Sequence, residues 1–239
     1  MYNKLPTIYI GYDPKESIYY HILKKSIENN TKRSYNIVPI VQKEVRRAGL
    51  YWRSHEIVDG RTVDCFDGKP FSTEFSFTRF LVPFLNQFSG LALFMDCDMY
   101  VRSSIDEIFD RYASYAISCV QHSYKPSDKL KMDGQIQTSY RRKNWSSFVL
   151  WNCDHPENKN LTISDVNTKP GSFLHGFDWM DYSTIGSINE EWNWLDGHSS
   201  ENIEPKCVHF TTGGPAYDNW VEKREVDKIY SDEWRKLLP

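Results

Sequence analysis

Features that would assign the chain to a membrane or to nucleic acid are missing from its 239 residues. No run of 18 apolar residues is present, so no membrane-spanning helix is predicted. The net charge of −3 argues against a protein that binds nucleic acid by neutralising phosphates. The basic triplet Arg141-Arg142-Lys143 is typical of a solvated face, and peripheral contact with an anionic membrane surface is the weaker alternative.

Signals for secretion and for disulfide bonding are also missing. Residues 1–6 carry no apolar secretory segment and lead directly into a predicted strand. The five cysteines are odd in number, scattered and without a C-x-x-C pair, which favours reduced, mostly buried thiols. We therefore expect a cytoplasmic protein. The cysteines are Cys65, Cys97, Cys119, Cys153 and Cys207.

The chain also lacks repeats, low-complexity tracts and a linker, so residues 1–239 are predicted to form one α/β domain. The predicted strands are residues 7–12, 36–41, 91–95, 115–121, 147–152 and 207–210, with Pro39 placing the second at a sheet edge or bulge. Capping boxes at Asp13–Glu16 and Ser104–Glu107 predict two helix starts. Apolar spacing predicts an amphipathic helix over 73–88, kinked at Pro83, and a charged helix over about 221–238 closes the chain. Residues 43–72 are predicted as loops with short pieces of structure that form a flap over the site, and residues 122–145 as a long connection of the kind that is usually functional or mobile.

The most informative stretch is Leu91–Val101, in which an apolar run ends abruptly in Asp96 and Asp98. Buried strands are continuous apolar runs, and open α/β sheets bind ligands at the carboxyl ends of their strands. Two acids at i and i+2 point to the same face of an extended strand, because successive side chains alternate between the faces. Where the strand ends and turns, one acid can bind a cation while the other contacts that cation or a sugar. The pair therefore indicates a site for Mn²⁺ or Mg²⁺, or simply a strand that enters a polar loop.

A second candidate segment is Cys207-Val-His-Phe-Thr-Thr-Gly-Gly-Pro215, in which an apolar strand carries His209. Imidazole is an acceptable further ligand for Mn²⁺. Gly213 and Gly214 would let backbone N–H groups approach phosphate oxygens closely. Taken alone, His209 is more often a core histidine and a glycine pair more often a turn. Their adjacency, together with the acid pair, favours the metal-site interpretation.

In their order along the chain, these motifs resemble GT-A glycosyltransferases, and glycosyltransferase family 8 in particular. Phe94-Met-Asp-Cys-Asp98 is similar to the D-x-D motif, and His209-Phe-Thr-Thr-Gly-Gly214 is similar to the H-x-x-G segment. Gly11-Tyr-Asp13, the Arg79 segment and Ser147–Asn152 fall in the same order, so the resemblance spans about residues 7 to 220. It implies a GT-A fold with a single Rossmann-like mixed sheet flanked by helices.

The resemblance also implies roles for individual residues. Asp96, Asp98 and His209 would coordinate the cation, and Gly213 and Gly214 would cradle the diphosphate. A second set would contact the nucleotide sugar or act near it; it comprises Gly11, Tyr12 and Asp13 at the base and ribose, Arg79 at the sugar or diphosphate, Cys97 within the D-x-D motif, and Asp178 as a catalytic acid near the sugar.

The chain departs from the family pattern at three places. Trp145-Ser146-Ser147 stands where the family often has N-A-G, so the sugar pocket is expected to differ. Pro215 stands about where a lysine is expected, with Lys223 or Arg224 as possible substitutes. The acid-glutamine pair near the sugar is represented at best by Asp178-Trp179.

The resemblance predicts a metal-dependent transferase that moves a hexose or deoxyhexose from a nucleotide-diphosphate sugar, with UDP as the expected nucleotide, to a glycan or other hydroxyl acceptor, with retention. A non-catalytic carbohydrate or nucleotide-sugar binding protein is the alternative. A sugar nucleotidyltransferase is less favoured, because no glycine-rich basic loop follows the first strand. Trp192 and Trp194 would stack on an acceptor sugar if exposed, although tryptophans in such a segment more often belong to the core.

Overall fold

The computed structural model describes residues 5–123, 142 and 144–239, so most of the predicted 122–145 connection and two residues of the basic triplet lie outside the described residues. The strands are β1 (Thr7–Tyr12), β2 (Asn36–Val41), β3 (His55–Val58), β4 (Arg61–Asp64), β5 (Leu91–Met95), β6 (Met99–Val101), β7 (Ile117–Val120), β8 (Phe148–Asn152), β9 (Ile185–Ile188), β10 (Trp194–Leu195) and β11 (Cys207–His209). The helices are α1 (Ser17–Asn30), α2 (Gln42–Arg47), α3 (Val82–Leu85), α4 (Asp106–Arg111), α5 (Ile163–Thr168), α6 (Gly171–His175) and α7 (Glu225–Arg235).

The main sheet has six strands in the order β2-β1-β5-β8-β7-β9. Strand β5 runs parallel to β1 and antiparallel to β8, so the sheet is mixed, as predicted. Strand β2 lies at the edge of the main sheet, as Pro39 predicted. An edge strand tolerates proline, which has no N–H to donate, because it has a neighbour on one side only. Because β5 is central, its apolar residues are buried and its carboxyl end delivers Asp96 to the middle of the sheet edge.

A small second sheet, in the order β10-β11-β6, places the two candidate segments side by side. The chain leaves the main sheet after Met95, turns through Asp96–Asp98 and continues as β6 of the small sheet. Strand β6 pairs antiparallel with β11, with His209 opposite Met99. The N–H of Phe210 donates to the carbonyl of Asp98 at 3.0 Å. This pairing brings His209 beside the acid pair, although more than 100 residues separate them in sequence.

The predicted helix over 73–88 is wrong. The segment instead forms a 3₁₀ turn, Thr78–Leu81, followed by the four-residue helix α3. Proline has no N–H and clashes with the preceding turn, so Pro83 is accepted only in the first turn of α3. Gln87 and Phe88 then take positive φ values of 58° and 50°, which end the helix.

The two predicted capping boxes form only in part. Asp13 does cap, since its carboxylate accepts from the N–H of Lys15 at 2.9 Å, but the carboxylate of Glu16 contacts Cys97 and Tyr217 instead of closing the box. At the second start, Ser104 accepts weakly from Asp106 at 3.4 Å. The closing glutamate of that box forms ion pairs with Arg111 and Lys206. Tertiary partners outcompete the local reciprocal bond in both cases.

Residues 43–72 are more structured than predicted. Helix α2 is followed by the β3–β4 hairpin, which is fixed to the core by Arg53. The Arg53 guanidinium bonds both oxygens of Asp64 at 2.7 Å and the carbonyl of Val166 at 3.1 Å, and both charged side chains are buried.

None of the helices within the described ranges is long and apolar enough to cross a membrane.

Candidate metal centre

Asp96, Asp98 and His209 come together at the carboxyl end of β5. One ligand atom from each lies within 4.8 Å of the others. Within this cluster, Asp98 Oδ1 lies 3.3 Å from His209 Nε2. The structure thus assembles the three residues that the sequence predicted as ligands, and their spacing allows one cation to contact all three.

The Arg79 guanidinium contacts one of the two acids. Its Nη1 lies 2.8 Å from Asp96 Oδ1 and also donates to the carbonyl of Ser146 at 3.0 Å. The side chain is buried between the rings of Phe75 and Phe94, at 5.4 and 5.2 Å from their centroids. Arg79 therefore offsets the negative charge of Asp96 inside the site.

His209 is held from its far side. Its Nδ1 lies 2.8 Å from Oδ1 of Asn193, a fully buried residue between two tryptophans. Nε2 is therefore the ring nitrogen that faces Asp98. The amide of Asn193 also contacts Ser147 Oγ at 2.9 Å and the carbonyl of Asn144 at 3.3 Å. Sequence reasoning missed Asn193 as a site residue; the only local signal is an amide side chain within an aromatic segment.

The Trp145-Ser146-Ser147 segment, which departs from the family pattern, supports both halves of the cluster. The carbonyl of Ser146 accepts from Arg79, the partner of Asp96. The carbonyl of Ser147 accepts from the backbone N–H of Asp96 at 2.9 Å, and its hydroxyl contacts Asn193. Asn144 precedes the segment in a left-handed conformation that asparagine tolerates well, with φ at 64°. The departure therefore adds the Ser147 hydroxyl to the network behind the cluster, while the backbone carbonyls of the segment hold Arg79 and Asp96.

The donor set suits a hard or borderline divalent cation. Two carboxylates and an imidazole nitrogen are ligands that Mn²⁺ accepts, and Mg²⁺ accepts the carboxylates. With the charge of Asp96 offset by Arg79, the carboxylate of Asp98 and the imidazole of His209 remain to attract a cation. The cluster can hold a divalent cation with positions left over for oxygens of a ligand.

The two glycines after β11 are required for different reasons. A Cβ on Gly214 would lie 2.8 Å from the hydroxyl of Tyr19, so close packing requires a glycine there. Gly213 has a φ of +113°, which L side chains rarely adopt. The Gly213 N–H donates to the carbonyl of Phe210 at 3.3 Å, and Gly214 is buried.

The predicted nucleotide residues lie at the carboxyl end of β1, the strand next to β5. Gly11 has no room for a side chain, because a Cβ there would lie 2.5 Å from the ring of Phe75. Tyr12 packs edge-on against Tyr20, with 5.5 Å between the ring centroids. Asp13 is buried, and its second oxygen accepts from the N–H of Glu74 at 3.0 Å. The backbone N–H groups of Lys15 and Glu74 therefore both donate to the Asp13 carboxylate. The ribose contact predicted for Asp13 would come in addition to these two hydrogen bonds.

Three further predicted residues have surroundings that bear on their roles. The Cys97 thiol contacts Glu16 at 3.2 Å, and burial followed by that carboxylate raises its pKa well above the usual range. Asp178 is exposed in a turn and is not part of the cluster. Trp192 and Trp194 are fully buried, so stacking on an acceptor is wrong and the core interpretation is correct. Trp192 packs on Phe148, and Trp194 packs on Tyr230.

A polar cavity of about 410 Å³ opens next to the cluster. It lies between the ends of β7 and β9 and the loop after β10, and Leu195 in its wall pairs with His209 in the small sheet. Burial lowers the pKa of His122 to about 3, and the neighbouring His209 adds to the effect, so the His122 imidazole is neutral. The polar side chains of the wall include Gln121, His122, Ser123, Asn189, Glu190 and His198.

The two residues proposed to replace the missing family lysine lie in different surroundings, since Lys223 is exposed and Arg224 is half-buried. Arg224 bonds both oxygens of the buried Asp227, at 2.7 to 3.2 Å, and the carbonyl of Ser199 at 2.6 Å. The stem of Lys223 crosses over Gly197, where a Cβ would lie 2.9 Å from its Cδ. Arg224 is therefore part of a structural network and does not replace the lysine.

The same network contains Asp196, whose backbone N–H donates to the carbonyl of His209 at 3.0 Å. Burial, and then the charge of Asp227, raises the pKa of Asp196 to about 8. Because the pKa of Asp196 is higher in the folded than in the unfolded protein, its contribution to stability is fully present below about pH 4. That contribution is lost as the pH rises to about 8.

We predict that the unfolding free energy of the wild type, relative to Asp196→Asn, falls by about 1.4 kcal/mol per pH unit between pH 5 and 8. Urea denaturation of both proteins across that range measures the slope. Taking the difference cancels the titration of the buried histidines, because both proteins contain them. A difference that does not change with pH would contradict a protonated Asp196.

Comparisons with known proteins agree with this architecture. No protein-family model matches the chain. The chain superposes on the bifunctional glycosyltransferase WbbM with a TM-score of 0.60 and 13% identity over 99% of its length, but it spans only 52% of that chain. For galactosyltransferase LgtC, solved with donor and acceptor sugar analogues, the TM-score is 0.55 at 14% identity, covering 97% of this chain and 100% of that one. For mouse xyloside xylosyltransferase 1 the TM-score is 0.52 at 9% identity, covering 88% of this chain and 99% of that one.

At these identities the structural likeness shows the fold, which is the GT-A fold that the sequence predicted. Membership of family 8 stays a prediction. The sequence itself has a nearer relative: Protein CDI of Arabidopsis thaliana is 45% identical over 226 residues, which cover 92% of this chain and 83% of that protein. The chain therefore belongs to the family of Protein CDI from Arabidopsis thaliana.

Proposed function

We propose that the protein is a metal-dependent glycosyltransferase that moves a hexose or deoxyhexose from a UDP-sugar to a hydroxyl acceptor with retention. The observation that carries this proposal is the cluster of Asp96, Asp98 and His209 at the carboxyl end of β5 in a GT-A fold. Ligands of open α/β sheets gather at such an edge. The similarity to solved glycosyltransferases supports the proposal at the level of the fold.

Each group of residues has a proposed role. Asp96, Asp98 and His209 hold Mn²⁺ or Mg²⁺, which when bound supplies electrostatic stabilisation of the leaving diphosphate as the bond from sugar C1 to phosphate breaks. Gly213 and Gly214 approach the diphosphate with their backbone. Tyr12 faces the base, and Arg79 orients Asp96 and adds positive charge at the phosphates.

The polar cavity beside His209 is proposed to receive the transferred sugar or the acceptor. Its wall offers amide, hydroxyl, imidazole and carboxylate groups, which are the donors and acceptors that sugar hydroxyls need. His122 is a neutral imidazole with a buried Nε2, so it can act as a hydrogen-bond partner for a hydroxyl without bringing a charge. Asp178 is exposed, and a catalytic role for it would need a contact made by the bound substrate.

The alternative is a protein that binds nucleotide sugars without turning them over, and one assay separates the two. The purified protein is incubated with a panel of UDP-, GDP- and dTDP-sugars, with Mn²⁺ or with EDTA, and free nucleotide and sugar are quantified. We expect release from at least one donor, lost in EDTA and restored by Mn²⁺. Binding of UDP with Mn²⁺ but no turnover of any donor would contradict the transferase and favour the binding protein.

A further inference from the structure

Asn193 occupies a place behind the ligand cluster that direct contact with sugar or phosphate does not explain. We infer that Asn193 is a positioning residue that fixes the His209 ring in the tautomer whose Nε2 carries no proton and can bind a divalent cation. This inference rests on the divalent-cation part of the proposed function and adds to it a residue that does not itself touch the cation.

The orientation of the Asn193 amide follows from its other contacts. The carbonyl of Asn144 can only accept a hydrogen bond, so the amide atom 3.3 Å from it must be the NH₂ group. The hydroxyl of Ser147 donates to the same carbonyl at 2.7 Å, which leaves the serine lone pairs to accept from Asn193 at 2.9 Å. Both neighbours therefore select the NH₂ group, and the Asn193 carbonyl oxygen is turned to His209.

The tautomer of His209 follows in turn. Oδ1 of Asn193 has only lone pairs, so the His209 Nδ1 that lies 2.8 Å from it must carry the proton. In a neutral imidazole Nε2 then carries the lone pair, and this is the atom that faces Asp98 at 3.3 Å. Metal-bound histidines commonly donate their other N–H to an acceptor, which fixes the ring and raises its basicity.

Burial makes the arrangement rigid. Asn193 is fully buried and His209 is 3% exposed, so water has little access to replace the amide as an acceptor. The network ends at Asn144, whose left-handed backbone presents its carbonyl to both Ser147 and Asn193. Loss of the Asn193 oxygen would leave Nδ1 without an acceptor and let the ring adopt the other tautomer or rotate.

The test compares Asn193→Leu, which removes the acceptor while keeping the number and branching of the side-chain heavy atoms, with Asn193→Asp, which keeps an acceptor oxygen. Asn158→Leu is the control. Asn158 is also a fully buried asparagine whose amide donates to two carbonyls, those of Ala116 and Asn152. It lies at the other end of the sheet, since Asn152 pairs with Leu91 at the start of β5.

Two readouts are used, and neither requires a nucleotide sugar. Nitrogen-15 NMR of histidine-labelled, metal-free protein identifies the tautomer, with the His209 signals assigned by their loss in His209→Gln. Titration of Mn²⁺ alone, with free Mn²⁺ counted by EPR, gives the dissociation constant. We expect the Nδ1–H tautomer in the wild type and in Asn193→Asp, its loss in Asn193→Leu, and about 10- to 100-fold weaker Mn²⁺ binding by Asn193→Leu than by Asn158→Leu.

An Nε2–H tautomer in the wild type would overturn the inference, and this measurement needs no variant to fold. Equal Mn²⁺ affinity in Asn193→Leu and Asn158→Leu would overturn it as well. The outcomes stay distinct from those of the donor panel. A protein that turns over no donor but shows the tautomer and affinity pattern refutes the transferase and keeps the inference, whereas an active enzyme with unchanged affinity in Asn193→Leu refutes only the inference.

Discussion

Asp98→Asn is expected to lower the turnover of the best donor on the order of 10³-fold while the protein stays folded. The change replaces an anionic oxygen, 3.3 Å from His209 Nε2, with a neutral amide of the same shape. Such an amide holds a cation weakly, and without the cation the developing negative charge on the diphosphate is not stabilised. Initial rates of donor hydrolysis at saturating Mn²⁺, with circular dichroism as a folding check, measure the effect.

Asp98 is a better probe of the site than Asp96. Replacement of Asp96 would leave the buried Arg79 guanidinium without its carboxylate partner at 2.8 Å, and would mix a loss of stability with a loss of activity. Glu56→Gln makes the same carboxylate-to-amide change at an exposed position of β3 and serves as the control. Turnover by Asp98→Asn within about threefold of that control would show that the acid pair does not carry the reaction.

Asp64→Asn is expected to reduce the unfolding free energy by about 3–5 kcal/mol. The substitution leaves the Arg53 guanidinium buried, 3.9 Å from the ring centroid of Phe77, with a neutral amide in place of a carboxylate that bonded it twice. The charge cannot reach water without moving the β3–β4 hairpin away from the core. Urea denaturation at pH 7 provides the free energy.

The exposed pair Arg33–Asp110 is a matched control, because the guanidinium also bonds both carboxylate oxygens, at 2.6 and 2.7 Å, and both side chains are about half exposed. Asp110→Asn should cost less than about 1 kcal/mol, because water replaces the lost partner. Similar losses in the two variants would mean that burial does not decide the energy of these ion pairs.

Much of the fold could be predicted because its strands are signalled locally. Continuous apolar runs identify β1, β5 and β8, and Pro39 identifies an edge strand. The helix predicted over residues 73–88 was wrong because six aromatic and aliphatic side chains recur there at helical spacing. The structure buries three of those side chains, Phe77, Phe80 and Leu81, on 3₁₀ and irregular backbone, which Pro83 and the positive φ values of Gln87 and Phe88 impose.

The metal ligands could be predicted, but the groups that orient them could not. Asp96, Asp98 and His209 belong to motifs with recognisable neighbours. Ser147 and Asn193 are 46 residues apart, and their contact depends on how the small sheet packs against the main one. The protonation of Asp196 likewise depends on Asp227, which lies 31 positions later and meets it only after α7 has folded onto the sheet.

The central claim is that Asp96, Asp98 and His209 together bind the divalent cation to which a nucleotide diphosphate attaches. Anomalous diffraction at the manganese edge, from crystals soaked with Mn²⁺ and UDP, tests it most directly. We predict one strong anomalous peak in bonding contact with Asp98 and with His209 Nε2, with UDP phosphate oxygens on its remaining positions. Bound UDP without a peak between these three side chains, or Mn²⁺ bound only elsewhere, would contradict the account.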